Sequence, residues 1–153
     1  MHDFDFLIGS WKTRNRFLNG RLRGSTDWAE FDSTYDVQRL LGGMGNLGQF
    51  RTERDGKKVE GISLRLYKPE ASVWAIHWAD TVRPGLLLPP MLGMFEGDIG
   101  EFHGEEFVDS ERVACRFLWN RANRDAPTWE QAFSRDGKNW ETNWTMALKR
   151  VKA

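Results

Sequence analysis

The chain has 153 residues, with 22 basic and 22 acidic side chains, eight tryptophans and one cysteine. This charge balance excludes the electrostatic signature of a nucleic-acid binder or of a polybasic membrane-surface protein. No apolar run is long enough to predict a membrane span, and the acidic first dozen residues predict no signal peptide. Because the lone Cys115 has no partner for an internal disulfide, we expect a reducing compartment and a cytoplasmic protein.

Short alternating segments separated by turn signals predict an all-β protein. A short helical turn near residues 3 to 8 precedes about ten strands. The Asp55-Gly56 and Asp136-Gly137 pairs are typical of tight hairpins between such strands. The predicted strands span residues 9–18, 26–40, 47–54, 59–68, 72–80, 91–96, 99–108, 111–121, 127–135 and 139–151.

The first strand shows which of its faces is buried. Lys12, Arg14 and Arg16 share one face, and that face must contact water because burying three unpaired cations is prohibitive. Trp11 therefore points inward. The same alternation predicts inward faces on later strands, with the members Phe31, Tyr35, Val37, Trp74, Ile76, Trp78, Val113, Cys115, Phe117, Trp119, Trp129, Gln131, Phe133, Trp140, Trp144, Met146, Leu148 and Arg150.

Consecutive strands with one apolar and one charged face fit a closed, antiparallel, up-and-down β-barrel, which leaves no exposed sheet edge. We expect residues 1–153 to form one such domain, with a β-sandwich as the alternative. The eight tryptophans either fill the interior of the barrel or form the wall of a pocket.

Two residues far apart in the chain suggest a family. Gly9-Ser10-Trp11 opens the first long strand, and Arg150 lies on the inward face of the last. This combination resembles the calycin superfamily of lipocalins, fatty-acid-binding proteins and bacterial lipocalin-like relatives. The resemblance implies that the Trp11 indole closes the bottom of the barrel and that the Arg150 guanidinium stacks on its ring.

Three longer phrases extend this resemblance over nearly the whole chain. They are DFLIGSW, GMFEGDIGEFHG and WEQAFSRDGKNWETNW. Together they resemble a DUF1579-like family of uncharacterised bacterial proteins with a lipocalin-like barrel. The resemblance implies a fold and a central cavity, and it implies no reaction.

Polar residues on the inward faces mark a candidate ligand site. Asn15, Tyr35, Asp80 and Gln131 would orient a small molecule between the indoles of Trp78, Trp119, Trp129 and Trp144. The alternative is that these polar groups satisfy one another, the tryptophan N–H groups or ordered water. Both interpretations remain open from the sequence.

Catalytic and metal-binding patterns are weak. Asp80 and Tyr35 are the only candidates for acid–base chemistry, and Asp80 serves equally well as a turn cap. Cys115 lies among apolar residues, which favours an inert core thiol. We expect no metal and no cofactor, because the histidines lack ligand spacing and none follows His103.

Residues 81–92, TVRPGLLLPPML, break the alternating pattern. Pro89 and Pro90 argue against a central strand, and three leucines form an apolar segment that favours an interaction surface. The segment is interpreted either as a lid over the open end of the barrel or as a contact in a homodimer.

The leading hypothesis is therefore non-covalent binding of a small, mainly apolar or aromatic molecule, with no nucleic-acid or membrane partner. An isomerase or cyclase acting on such a molecule is the first alternative. A filled barrel that serves as an interaction subunit is the second.

Overall fold

The structure is a computed structural model that describes residues 1–83 and 85–151. In this part of the chain, ten antiparallel strands pair with their chain neighbours, and the last pairs with the first to close a barrel. The predicted all-β barrel is confirmed. None of the helices in residues 1–83 and 85–151 is long and apolar enough to cross a membrane. Pro84, in the predicted 81–92 loop, and residues 152–153 lie outside the described residues.

The strands are β1 (Gly9–Leu18), β2 (Trp28–Leu40), β3 (Gly45–Arg54), β4 (Lys57–Lys68), β5 (Val73–Asp80), β6 (Leu87–Glu96), β7 (Ile99–Val108), β8 (Glu111–Asn120), β9 (Thr128–Ser134) and β10 (Glu141–Arg150). Two 3-10 turns, Asp5–Leu7 and Leu41–Gly43, are the helical segments of this part of the chain. The first of these confirms the predicted helical turn before β1.

Strand β1 has the predicted alternation. Trp11, Thr13 and Asn15 are buried, while Lys12 and Arg14 are exposed. Its neighbours in the barrel are β2 and β10, and the β10 register places Trp11 opposite Arg150. The two ends of the chain therefore meet in adjacent strands.

The barrel has two different ends. We call the end covered by residues 1–8 the floor, and its turns are 41–44, 69–72, 97–98 and 121–127. The opposite end is the mouth, bordered by residues 19–27, 55–56, 81–86, 109–110 and 135–140. Because every strand runs from one end to the other, the mouth and the floor are built from alternate connections.

The floor half is filled by aromatic rings. Phe4, from the segment before β1, is only 1% exposed and contacts Trp74 at 5.1 Å and Phe95 at 5.2 Å between ring centroids. Phe102 and Trp119 complete its surroundings at 5.7 and 6.3 Å. The N-terminal segment is therefore part of the core and plugs this end of the barrel.

Strand β6 corrects the prediction for Pro89 and Pro90. The strand begins at Leu87 and includes both prolines, so the connection from β5 spans only residues 81–86. Trp78 pairs with Leu87 and Ile76 pairs with Met91, which leaves residues 88–90 opposite a single β5 residue. A bulge of this kind accommodates prolines because they need not donate to the ladder.

The predicted inward orientation of Trp140 is wrong. A register shift between Thr142 and Trp144 inserts Asn143 into β10 and reverses the alternation on its mouth side. Trp140 therefore packs outside the cavity, with its ring 4.6 Å from the Arg116 guanidinium and 6.0 Å from the His103 ring. A one-residue bulge moves every preceding side chain to the opposite face.

Candidate functional site

The mouth half of the barrel contains a cavity of about 340 Å³. Its volume lies in the range of ligand pockets, about 300–1,000 Å³. Seven of the eight predicted ligand-contacting residues line it, namely Tyr35, Trp78, Asp80, Trp119, Trp129, Gln131 and Trp144. Asn15, the eighth, does not line it. The interior is thus filled at the floor and open toward the mouth.

The wall of the cavity is a connected set of aromatic rings. Trp144 lies at its centre and contacts Trp129 at 5.2 Å, Phe17 at 5.5 Å, Phe50 at 6.0 Å and Trp78 at 6.3 Å between centroids. All these contacts are edge-to-face, the arrangement that the ring quadrupole favours. The rings hold one another in place and present flat apolar surface to the open volume.

Asn15 orients this wall from behind. The Trp144 indole Nε1 donates to Asn15 Oδ1 at 3.0 Å, and the Asn15 amide donates to Ser33 Oγ at 2.8 Å. Asn15 is fully buried, so these bonds satisfy an otherwise costly polar group. Its position favours a supporting contact to Trp144 over the predicted contact with a ligand.

Glycines in two strands make room for wall residues. A Cβ at Gly61 would lie 2.4 Å from the Trp78 ring, and one at Gly48 would lie 2.2 Å from the Tyr35 hydroxyl. The Trp78 indole and the Tyr35 phenol therefore lie directly against the backbone of neighbouring strands. Glycine inside a strand is the sequence signal for such a close approach.

Arg65 lies between the floor and the cavity and is only 2% exposed. Its Nη1 donates to Asn46 Oδ1 at 2.9 Å, and its Nη2 donates to the Tyr35 hydroxyl at 2.5 Å. The guanidinium is 5.2 Å from the Phe4 ring and 5.8 Å from the Trp119 ring. Neutral oxygens and aromatic faces thus surround a buried cation that forms no ion pair within residues 1–83 and 85–151.

Asp80 occupies the position of a turn cap. Its Oδ1 accepts the backbone N–H groups of Val82 and Arg83 at 2.9 and 2.7 Å, and its Oδ2 accepts the Trp78 indole N–H at 2.6 Å. The carboxylate lines the cavity, yet three donors already occupy its oxygens. This arrangement favours positioning of Trp78 and of the 81–86 turn over proton transfer.

Cys115 lines the cavity and is 3% exposed. Burial, followed by the nearby Glu106 carboxylate, raises the pKa of the thiol far above its usual range. The group is therefore neutral and a poor nucleophile. Within the described part of the chain, no three His, Cys, Asp or Glu side chains are close enough to hold a metal ion together.

The segment 19–27 lies across the mouth. Arg23 pairs with Asp109 of the β7–β8 turn at 2.5 Å, and the Leu22 N–H donates to Glu141 at 2.6 Å. Arg135 donates to the Leu22 carbonyl at 3.0 Å. These contacts link 19–27 to two other mouth connections. Residues of the 81–92 segment, among them Val82, Leu87 and Pro89, also line the cavity. Both interpretations of that segment, a lid and a homodimer contact, stay predictions.

The arginines that line the cavity were not predicted from the sequence. Arg21, Arg54, Arg65 and Arg83 all line it. In the sequence, Arg65 stands between Leu64 and Leu66, a pattern typical of an arginine that faces water. Strand β4 instead buries the face that carries Arg65 and turns the opposite face outward, so that Ile62 is 39% exposed. Arg21 and Arg83 lie in connections, whose direction depends on tertiary contacts. The small residues Gly61 and Ser63, on the same face as Arg65, were the available signal.

Comparison with known proteins supports the fold. The chain is similar in structure to the S-type phycobiliprotein lyase CPES from Guillardia theta, with a TM-score of 0.68 and 14% identity over 98% of this chain and 91% of that one. It is also similar to Rv2717c from M. tuberculosis, with a TM-score of 0.63 and 15% identity over 97% and 95%. No protein-family model and no curated protein matches the sequence. The lipocalin-like barrel is confirmed, and the DUF1579-like resemblance stays a prediction.

Proposed function

We propose that the chain binds a small, mainly aromatic or apolar molecule in the cavity of the mouth half. The observation that carries this proposal is the connected wall of Phe50, Trp78, Trp129 and Trp144 beside an open volume of about 340 Å³. An apolar core normally closes such a space, because unfilled volume forfeits packing energy. Rings held edge-to-face around a space offer their faces to a flat guest.

Two polar side chains that line the cavity, Tyr35 and Gln131, would orient the guest. Gln131 lines the cavity and is held by a hydrogen bond from its Nε2 to Asn143 Oδ1 at 2.9 Å. The Tyr35 hydroxyl accepts from Arg65, so its own proton is directed elsewhere. A few polar groups among aromatic walls are the usual composition of a small-molecule site. The similar phycobiliprotein lyase and Rv2717c support the fold of this site alone.

A neutral fluorescent probe tests the proposal. N-phenyl-1-naphthylamine, two linked aromatic systems without charge, is titrated into the protein and its fluorescence is followed. We expect saturable binding to one site. Ser63→Phe fills the cavity from β4, because Ser63 is buried and lines it. It should weaken binding at least about tenfold, since the guest loses volume and wall contacts worth more than about 1.4 kcal/mol.

Two matched pairs of variants, each a cavity variant with a control outside the cavity, test whether the probe binds in the cavity. Ser10→Phe makes the same substitution at an exposed position outside the barrel, and Trp140→Ala removes an indole that does not line the cavity. Trp144→Ala should weaken binding about tenfold, whereas both controls should leave it unchanged. Binding that survives Ser63→Phe, or no binding at all, would show that the cavity is not a site for such molecules.

A further inference from the structure

Two arginines share one aromatic ring at the mouth of the cavity. The Arg21 guanidinium lies 4.0 Å from the Phe17 ring and that of Arg54 lies 4.8 Å from it. Arg54 is also 4.5 Å from the Phe31 ring. Phe17 contacts Trp144, the central ring of the wall. The two cations therefore lie at the mouth end of the aromatic wall.

No carboxylate pairs directly with these two cations in the described part of the chain, although the nearby Glu106 partly offsets the charge of Arg21. Within residues 1–83 and 85–151, neither Arg21 nor Arg54 forms an ion pair. The Arg21 Nε and Nη2 atoms are shielded from solvent and have no hydrogen-bond partner there. By contrast Arg83, also at the mouth, pairs with Glu106 at 3.0 Å. Stacking on Phe17 thus fixes the Arg21 guanidinium, while its Nε and Nη2 donors have no acceptor in the described residues.

Two glutamates that line the cavity, Glu105 and Glu106, are already engaged. Glu106 accepts from Arg83 and from the Phe107 N–H at 3.1 Å, and Glu105 pairs with Arg112 at 3.4 Å. Burial, followed by the nearby Arg83, lowers the pKa of Arg21 to about 10. A shielded cation with free donors is costly unless an anion completes it.

We propose that the molecule bound in the cavity is an organic acid: an aromatic or apolar body that carries an oxyanion group, placed at the mouth between Arg21 and Arg54. The inference rests on the proposed function and adds the chemical class of the ligand. The body lies against Trp144 and its neighbours, and the oxyanion accepts charge-assisted hydrogen bonds from the free guanidinium donors. Arg65 is less suited to this role: its Nε also has no partner in the described residues, but both of its Nη atoms already donate to Asn46 and Tyr35.

A pair of probes that differ in one group tests this inference. 8-Anilinonaphthalene-1-sulfonate has the same aromatic body as N-phenyl-1-naphthylamine and adds one sulfonate. We expect the wild-type protein to bind the sulfonate at least about tenfold more tightly than the neutral probe. The double variant Arg21→Met/Arg54→Met should remove this preference, so that the dissociation constants of the two probes agree within about twofold, because methionine still covers Phe17 and the charge is gone.

The control is Arg16→Met/Arg116→Met. Both arginines stack on tryptophans that do not line the cavity, Trp28 at 4.7 Å and Trp140 at 4.6 Å, so this variant loses the same charge and the same kind of contact. It should keep the preference. Arg21→Lys/Arg54→Lys should keep part of it, because the charge remains while the planar donor fork is lost.

The outcomes separate the two proposals. If the neutral probe binds in the cavity and the sulfonate binds no more tightly, the organic-acid inference is wrong and the proposed function stands. A preference that survives in Arg21→Met/Arg54→Met, or that disappears only in Arg65→Met, overturns the placement at the mouth. If neither probe binds, both proposals fail.

Discussion

The floor and the mouth of the barrel each hold an arginine against an aromatic ring, but the two arginines differ in what their donors do. At the floor, Arg150 lies 4.2 Å from the Trp11 ring and its Nη1 and Nη2 donate to the carbonyls of Ile8 and Phe6 at 3.1 and 2.7 Å. At the mouth, Arg21 lies 4.0 Å from the Phe17 ring, and its Nε and Nη2 reach no acceptor in the described part of the chain.

This difference separates a contact that supports the architecture from one that fits a ligand. A stacked guanidinium whose donors are satisfied by backbone carbonyls ties the last strand to the N-terminal segment. A stacked guanidinium with free donors beside an open cavity carries unused binding capacity. The two ends are distinguished by whether the guanidinium donors have acceptors, because each end holds an arginine stacked on an aromatic ring.

The largest expected effect is at the floor. Trp11 is 1% exposed, and its Nε1 donates to the Leu7 carbonyl at 2.8 Å. Trp11→Ala should lower the free energy of unfolding by about 3–5 kcal/mol, the usual cost of removing a large buried ring. Urea unfolding at neutral pH measures it. The folded fraction should bind N-phenyl-1-naphthylamine with unchanged affinity, and a folded variant that loses only binding would contradict the assignment of Trp11 to the floor.

The two arginines can be compared directly by the same substitution. Arg150→Met should lower the free energy of unfolding by about 2–4 kcal/mol, because it leaves the Phe6 and Ile8 carbonyls without their donor. Arg21→Met should change it by less than about 1 kcal/mol, with a gain favoured, since it removes a shielded charge without orphaning an acceptor. Equal losses in urea unfolding would mean that Arg21 is also an architectural residue.

The smallest effect concerns a mouth connection and is a dependence on pH. Backbone N–H groups of Asn139 and Lys138 donate to the Asp136 carboxylate, with further bonds from the Asn139 and Ser134 side chains, and lower its pKa well below the usual range. The folded form therefore binds the proton less readily than the unfolded form. The stability that this provides is present above the unfolded pKa, about 3.9, and is lost as the pH falls through the lower, folded pKa.

Asp136→Asn removes that contribution. We expect the free energies of unfolding of the wild type and the variant to differ by a constant amount above about pH 5 and to converge below about pH 4. The effect is small because the group is fully exposed to solvent. Asp55→Asn, in the other Asp-Gly hairpin, is the matched control, since no hydrogen bond to the Asp55 side chain is present in the described residues. A difference that grows on acidification would contradict the sign.

Local rules were sufficient for the strands and for most of the wall. Alternation depends only on which side chains tolerate water, so the three cations of β1 placed Trp11 inside without any tertiary information. Parity likewise selected Trp78, Trp129 and Trp144, each of which lines the cavity. Parity failed where the backbone left the regular ladder, as at the bulge that turned Trp140 outward.

The sequence by itself determined the all-β barrel and the inward orientation of Trp11, because these follow from a period of two and from the cost of burying charge. The contact of Trp11 with Arg150 was implied by the resemblance to the calycins. Only the tertiary structure decided that Phe4 fills the floor while the mouth half stays open, and that Arg21 and Arg54 stand over Phe17. Those features join residues from different connections and strands. Their partners, and hence whether each hydrogen-bonding group is satisfied, depend on how the whole barrel closes.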